Sequence, residues 1–204
     1  MPGFLSGPNS GYTDRAKGKG TVSSSWLAQI GKSTAQASGG GIVAATVNAG
    51  INPGLINNDN VLVAWSIPAN IFDLAGRILE ITANGSVANN TNSKRIKIWA
   101  GCTTAVVGSA VTGGTLIADS GAYTTAGSAG WQIGAQIAKY GAANSNTQLA
   151  VHTPTIIGNT SGSLLAPSLL TLPESSSFLI AITGNAVTTA SDIVLNFAQL
   201  FATN

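Results

Sequence analysis

Hydrophobic and polar residues alternate along two neighbouring stretches in the first half of the chain, residues 76–88 and 94–99. In the second stretch two isoleucines fall on one face, because successive side chains of an extended backbone point to opposite sides. The residues of the other face are Arg95, Lys97 and Trp99. A period of two is typical of half-buried antiparallel strands, and the polar residues 89–93 between the stretches favour a turn. The pattern therefore predicts a hairpin.

Similar strand patterns follow along the rest of the chain, separated by turn signals rich in Gly, Pro and Asn. They cover residues 61–67, 115–119, 131–140, 146–153, 177–183 and 192–201. Helical periodicity is nearly absent from this part of the sequence. The sequence therefore predicts an all-β fold, a jelly-roll-like antiparallel β-sandwich of about eight strands. A closed up-and-down barrel fits the same spacing and stays open as an alternative.

The strand predicted at residues 146–153 carries the single histidine of the chain. Alternation puts Leu149 and Val151 on one face, and we expect this apolar face to point into the core. Gln148 and His152 then share the polar face. A lone histidine there is typical of a solvated or hydrogen-bonded surface group, because a zinc site needs several ligands together.

Residues 1–41 differ from the remainder, because they are dense in Gly, Ser, Pro and Thr and show no sustained period. We interpret them as an extended N-terminal arm and residues 42–204 as the β-sandwich domain. Within the arm, residues 23–30 match a short capped helix with a small apolar face. The tryptophan of that face favours an arm that orders on a neighbouring subunit, and the alternative is a disordered tail.

Charged residues make up only 8% of the chain, against about a quarter in average soluble proteins, while 44% is hydrophobic. Disorder would require low hydrophobicity and high net charge, and the chain has neither. A surface of small polar residues suits a permanent assembly or a particle outside the cell, and a merely neutral soluble domain is the alternative. The net charge of +2 is too small to indicate nucleic-acid binding by the whole chain.

Residue chemistry offers no catalytic centre. The one cysteine, Cys102, has no partner for an intrachain disulfide. The acidic residues are scattered, whereas glycan hydrolysis needs two carboxylates that face each other. We therefore expect a protein that is not an enzyme and that binds no cofactor and no metal. The sequence predicts no signal peptide and no membrane span, so we expect synthesis in a cytoplasm.

Several runs of the sequence, taken in order, resemble β-rich virion structural proteins of tailed bacteriophages, of the capsid decoration or cement type. The runs are Val61–Asn70, Leu74–Gly85, Lys94–Ala100, Leu116–Gly121, Gly130–Ile133 and Asn146–Thr153. The resemblance covers roughly residues 60 to 204 and leaves the arm uncovered. It implies a jelly-roll-like domain in the virion, often trimeric, with no catalytic residues.

The function expected from this resemblance is a capsid decoration protein on the outer surface of the head. Its partners would be the major capsid protein and further copies in a homotrimer, with no direct nucleic acid and no membrane. We expect a subunit contact at Arg95, Lys97 and Trp99, although a solvated strand face is the commoner arrangement. The arm residues expected to contact the capsid are Arg15, Lys17, Lys19, Trp26, Leu27 and Ile30.

The alternative function is a receptor-binding or structural domain of a tail or fibre that recognises a host surface glycan. That function predicts exposed aromatic residues on loops, for which Tyr123 and Tyr140 are the candidates. A lectin-like module unrelated to phages is a third interpretation.

Overall fold

The computed structural model describes residues 42–43, 59–127, 129–162, 164–186 and 192–203. The predicted arm and its short helix lie outside these residues. The same holds for the residues expected to contact a capsid, which are Arg15, Lys17, Lys19, Trp26, Leu27 and Ile30. The boundary between arm and domain therefore stays a prediction.

The described residues form eleven strands and no helix. This part of the chain therefore has no helix that could span a membrane. The strands are β1 (Ile42–Val43), β2 (Asn60–Ile67), β3 (Ile78–Val87), β4 (Lys94–Thr104), β5 (Thr112–Asp119), β6 (Ala129–Lys139), β7 (Gln148–Ile157), β8 (Thr160–Ser161), β9 (Ser168–Leu170), β10 (Phe178–Ala186) and β11 (Ile193–Thr203). Eight of them have eight residues or more, in agreement with the predicted number.

The strands form two antiparallel sheets. The small sheet has four strands in the order β2-β10-β4-β5. The large sheet has seven, in the order β1-β11-β3-β6-β7-β8, with β9 also paired to β7. Inward side chains of both sheets meet in one hydrophobic core. The described residues therefore form the predicted all-β antiparallel sandwich, and their two separate sheets do not close into the alternative barrel.

The predicted hairpin is wrong in one respect, because its two strands do not pair with each other. β3 lies between β11 and β6 in the large sheet, whereas β4 lies between β10 and β5 in the small sheet. The connection therefore crosses between sheets that lie roughly 10 Å apart in a sandwich. Two of its side chains, Asn90 and Asn92, donate to the carboxylate of Asp192 at 2.7 and 2.9 Å. These bonds hold the connection at the start of β11 instead of closing a tight turn.

The inward-facing aliphatic side chains of β3 and β4 form the centre of the core. Leu79, Ile81 and Ile98 are at most 1% exposed, and burial of such an aliphatic side chain contributes about 1.5–3 kcal/mol. The rings of Phe72 and Phe178 stack with centroids 6.2 Å apart and an interplanar angle of 11°. This contact ties the connection between β2 and β3 to the start of β10.

The side chains of β7 face the opposite way to the prediction. Gln148 and His152 are buried, at 0% and 5% exposure, whereas Val151 is 38% exposed and Leu149 is half-buried. The expectation that the apolar pair points into the core is therefore wrong. The reason is that both buried polar side chains have hydrogen-bond partners on neighbouring segments, which removes most of the cost of burying them.

Candidate functional site

The outer face of the small sheet carries two basic residues of β4, Arg95 and Lys97, each joined to an acid of the same chain. Arg95 donates two hydrogen bonds to the carboxylate of Asp119 on β5, with Nε 2.7 Å from Oδ1. Lys97 Nζ lies 3.0 and 2.9 Å from the two carboxylate oxygens of Asp59. The alternation of β4 thus predicted the direction of these side chains, but the sequence did not reveal their partners, which lie 24 and 38 residues away.

The Arg95–Asp119 pair also sets the charge of both groups. Burial by itself raises the pKa of Asp119, but the hydrogen bonds from Arg95 and from the Gly121 N–H outweigh it, together with the charges of Arg95 and Lys97. The pKa of this carboxyl therefore lies below its ordinary value. The hydrogen bond to Asp119 in turn raises the pKa of Arg95. Each partner keeps the other charged, and their charges cancel.

Trp99, the third residue of the predicted subunit contact, belongs to a second hydrophobic cluster on the same face. Its indole N–H donates to Thr183 Oγ1 at 3.1 Å, and Lys97 Nζ lies 5.7 Å from the centre of its ring. The connection between β4 and β5 packs against this cluster and is tied to β2, since Gly108 N–H donates to the Val61 carbonyl at 2.9 Å. The predicted contact at Arg95, Lys97 and Trp99 stays a prediction.

Cys102 lies in the same cluster and is buried. Burial raises the pKa of its thiol to about 11. The group is therefore protonated near neutral pH and has little of the thiolate character that reactive cysteines need.

Every charged side chain of the described residues has a partner within the chain. Glu80 accepts a hydrogen bond from Gln136 Nε2 at 3.0 Å. Lys94, which is fully buried, donates to the carbonyls of Asn90 and Asn92 at 2.8 and 2.9 Å, beside Asp192. The others form ion pairs, which are Asp73–Arg77, Asp59–Lys97, Arg95–Asp119 and Lys139–Glu174. Among the described charged groups, those that form no ion pair are therefore still hydrogen-bonded within the chain.

Lys94 shows how strongly burial acts on such a group. Burial lowers the pKa of its amine, and the nearby Asp192 carboxylate raises it in partial compensation. The position of Lys94 in the alternation of β4 is that of the inward isoleucines. Its burial is possible because the asparagine-rich connection folds around the amine.

A buried ion pair holds together the end of the sandwich where β6 leads into β7. The side chains of Lys139 and Glu174 are 0% and 1% exposed and form a short hydrogen-bonded pair. Gln148 Nε2 donates to the same carboxylate at 2.7 Å, and the Asn144 N–H donates to its second oxygen at 2.7 Å. Lys139 Nζ also donates to Ser145 Oγ at 2.8 Å. Sequence analysis missed this network, because nothing in the local patterns links residues 139 and 174.

His152 is hydrogen-bonded, as the sequence suggests, but it is buried rather than on the surface. Its Nδ1 accepts the Leu165 N–H at 3.0 Å, so Nε2 carries the proton and donates to Thr155 Oγ1 at 2.7 Å. Burial lowers the pKa of the ring, with Asp119 opposing that shift. Among the described residues no three side chains of His, Cys, Asp or Glu come together as metal ligands.

The outer side of β7 and β9 forms an exposed apolar surface, which we call the edge patch. Leu149 and Leu169 are cross-strand partners, and Leu169 is 73% exposed. Val151 follows two residues after Leu149 on the same face. The edge patch, made of Leu149, Val151 and Leu169, contains no charged side chain.

The comparisons with known proteins return no matching family model and no matching curated protein. Among solved structures, the chain is similar to the CBM2 module of the evolved Dit of Lactobacillus casei BL23 phage J-1, at 10% identity and a TM-score of 0.32, covering 68% of this chain and 67% of that chain.

Two further structures are similar at the same low level. One is a legume lectin-like domain from Entamoeba histolytica, at 9% identity and a TM-score of 0.26, covering 72% of this chain and 81% of that one. The other is the Caenorhabditis elegans galectin LEC-6, at 12% identity and a TM-score of 0.25, covering 72% and 94%. Similarity this weak carries no inference about function.

Proposed function

We propose that the chain is a capsid decoration protein of a tailed bacteriophage, which attaches to the major capsid protein through residues 1–41. The observation that supports attachment through the arm is the distribution of charge. Residues 1–41 contain four basic side chains and one acid, for a net charge of +3, whereas residues 42–204 contain five basic and six acidic side chains. All charged groups of the second set are engaged within the chain. The arm therefore holds the charge available for a partner.

The low charge of the domain supports the same proposal. A decoration protein lies in permanent contact with a shell, and burying an unpaired charge there is costly. A surface whose charged groups are already paired avoids that cost. The apolar residues of the arm, Trp26, Leu27 and Ile30, would provide the buried anchor, and the basic residues Arg15, Lys17 and Lys19 would provide electrostatic attraction and register.

Attachment is tested by adding variants to capsids that lack the protein and measuring the bound fraction. Deletion of residues 1–41 is expected to abolish binding. Replacement of Arg15, Lys17 and Lys19 by glutamine is expected to weaken binding about tenfold or more and to reduce its salt dependence. The matched control replaces Arg95 and Lys97 by glutamine, which removes basic groups that are already paired, and we expect little change. Undiminished binding after the deletion would refute attachment through the arm.

The location on the particle needs a separate observation. Cryo-electron microscopy of the native particle is expected to show this chain on the outer face of the head. Density at the tail tip instead would overturn the proposal in favour of the receptor-binding alternative.

We further propose that the edge patch joins copies of the chain in a homotrimer. It gathers two leucines and a valine on one face. Its lack of charge lets three copies of the patch converge around a threefold axis without burying like charges. Val151→Lys together with Leu169→Lys is expected to convert the trimer to a monomer in analytical ultracentrifugation. Leu74→Lys, at an exposed leucine outside the patch (60% exposure), is the control. A trimer that survives the double substitution would refute this interface.

A further inference from the structure

An open cleft lies at the end of the sandwich where the connection between β5 and β6 meets the turn between β7 and β8. Its volume is about 600 Å³, and its polar lining comes from Tyr123, Thr125, Asn159 and Thr160. Gly130, at the start of β6, forms part of the wall. A volume of this size is within the range of small-molecule binding sites, roughly 300–1,000 Å³.

A second, shallower cleft of about 330 Å³ adjoins the first, since Gly130 lines both. Its polar side chains are Asn84 and Gln132, which are exposed on the outer face of the large sheet, and its apolar wall includes Trp131 and Ile156. The two clefts thus meet at Gly130, between the end of the sandwich and the outer face of the large sheet.

The position of Tyr123 is fixed by the fold rather than by a ligand. Its backbone N–H donates to the Lys94 carbonyl at 2.8 Å and its carbonyl accepts the Lys94 N–H at 2.9 Å. Its side chain reaches Gly158, where an added Cβ would lie 3.2 Å from the hydroxyl oxygen, and the φ of +58° there favours glycine. Tyr123 is only 8% exposed, so the prediction that it is an exposed loop aromatic is wrong. Its side chain is instead a fixed part of the cleft lining, which lowers the entropic cost of binding a ligand.

The chemistry of the lining selects one class of ligand. Neither cleft contains a charged side chain, so an anionic phosphate or sulfate would find no counter-ion there. The groups present are hydroxyls, side-chain amides, backbone exposed at glycines, and small apolar patches. Sugars match this mixture, because their hydroxyls both donate and accept hydrogen bonds while their C–H faces pack on apolar surface.

We propose that the two clefts form one binding site for a neutral oligosaccharide. In the site, Tyr123, Asn159, Asn84 and Gln132 bond to sugar hydroxyls, and Ile156 packs against a sugar ring. This inference does not depend on the decoration function, since it concerns the domain and not the arm. A decoration protein with such a site would display glycan binding on the outside of the particle.

The test is a titration of the ¹⁵N-labelled full chain, followed by NMR, with neutral tetrasaccharides at millimolar concentration. The probes are maltotetraose, cellotetraose, mannotetraose and N-acetylchitotetraose, and an anionic hyaluronan tetrasaccharide serves as comparison. At least one neutral probe is expected to shift amides of residues 123–127, 129–132 and 158–160 in a saturable way, and the anionic probe is expected to bind more weakly. No saturable shift with any neutral probe, or shifts confined to other regions, would overturn the proposal.

Gly130→Leu tests the site with little disturbance of the fold. A Cβ at this position would have Gly85 O as its nearest neighbour, at the ordinary contact distance of 3.7 Å, and the residue has no positive φ. The added side chain would occupy the wall shared by both clefts, so we expect saturable binding to disappear. Ser66→Leu adds the same side chain at an exposed position of β2 and is the control. Unchanged binding by Gly130→Leu would refute the assignment of the site.

Tyr123→Phe keeps the ring and removes the hydroxyl. A site that uses this hydroxyl is expected to lose affinity about tenfold. Capsid binding by both cleft variants is expected to equal that of the wild type. Failure of the glycan site and failure of the decoration function would therefore be distinguishable, because the first appears in the NMR titration and the second in the capsid assay.

Discussion

β4 and β7 are strands of similar length and similar alternating composition, but their polar residues face opposite ways. In β4, Arg95 and Lys97 point outward and form ion pairs on the face of the small sheet. In β7, Gln148 and His152 point inward, and the apolar Val151 is exposed. Alternation of polarity gives the period of a strand, but it does not by itself decide which face is the inner one.

The partners of the polar groups account for the difference. The isoleucines of β4 take the core side, so Arg95 and Lys97 point outward and meet acids there, whereas Lys94 at the start of the strand points inward and is bonded to backbone carbonyls. The inward groups of β7 have partners that arrive from elsewhere in the chain, namely Glu174 and the backbone of Leu172 for Gln148, and the backbone of Leu165 for His152. A polar group with such partners is buried at little cost, and the apolar residues of the other face are left for external contacts.

The largest expected effect concerns the buried ion pair beside β7. Lys139→Met leaves Glu174 as an uncompensated buried charge, and we expect a loss of about 3–5 kcal/mol in the free energy of unfolding. The measurement is urea denaturation followed by circular dichroism. Adding Glu174→Gln to Lys139→Met is expected to recover part of the loss, because the charge is then gone. A loss under about 1 kcal/mol in the single variant would contradict the buried network.

The orientation of β7 is tested next with two substitutions, one at an inward position and one at an outward position. Gln148→Leu leaves the Leu172 N–H without its acceptor and removes a donor to Glu174, so we expect a loss of about 1–3 kcal/mol. Val151→Thr changes a side chain that is exposed in the single chain. It is expected to stay within about 0.5 kcal/mol of the wild type when unfolding is measured at a concentration at which the protein is monomeric. If β7 had the facing predicted from its polarity, the order of these two effects would be reversed. Both are measured by the same denaturation experiment.

The histidine of β7 predicts a dependence of stability on pH. Burial lowers the pKa of His152 in the folded state, so the unfolded chain takes up a proton first as the pH falls. Its contribution to stability is therefore fully present above the ordinary pKa of about 6.5 and is lost as the pH falls below it toward the folded value. We expect the wild type to lose stability relative to His152→Phe as the pH falls below about 6.5. Equal pH slopes for the two proteins would contradict the buried neutral ring.

The smallest effect is expected on the small sheet. The side chain of Arg95 is 43% exposed, and solvent screens its pair with Asp119. Arg95→Gln is therefore expected to cost less than about 1 kcal/mol, and less still at high salt. We expect a smaller loss of unfolding free energy than for Lys139→Met, because the Arg95–Asp119 pair is more exposed than the Lys139–Glu174 pair. A loss as large as that of Lys139→Met would contradict this difference between the two pairs.

The sequence by itself determined the all-β class, the number of long strands and the positions of most of them. It determined the orientation of β4, because its isoleucines alternate with Arg95, Lys97 and Trp99. It also determined that the positive charge lies in residues 1–41, since that follows from counting alone. These properties are local or additive, and local patterns are sufficient to predict them.

Only the tertiary structure decided which strands pair and which polar residues are buried. β3 and β4 are neighbours in the chain, yet they lie in different sheets, and Asp192 binds their connection from about a hundred residues away. Lys139 meets Glu174, and Gly130 joins two clefts, through the packing of segments that no local pattern links. The free energy of a buried polar group depends on its partner, and the partner is chosen by the fold as a whole.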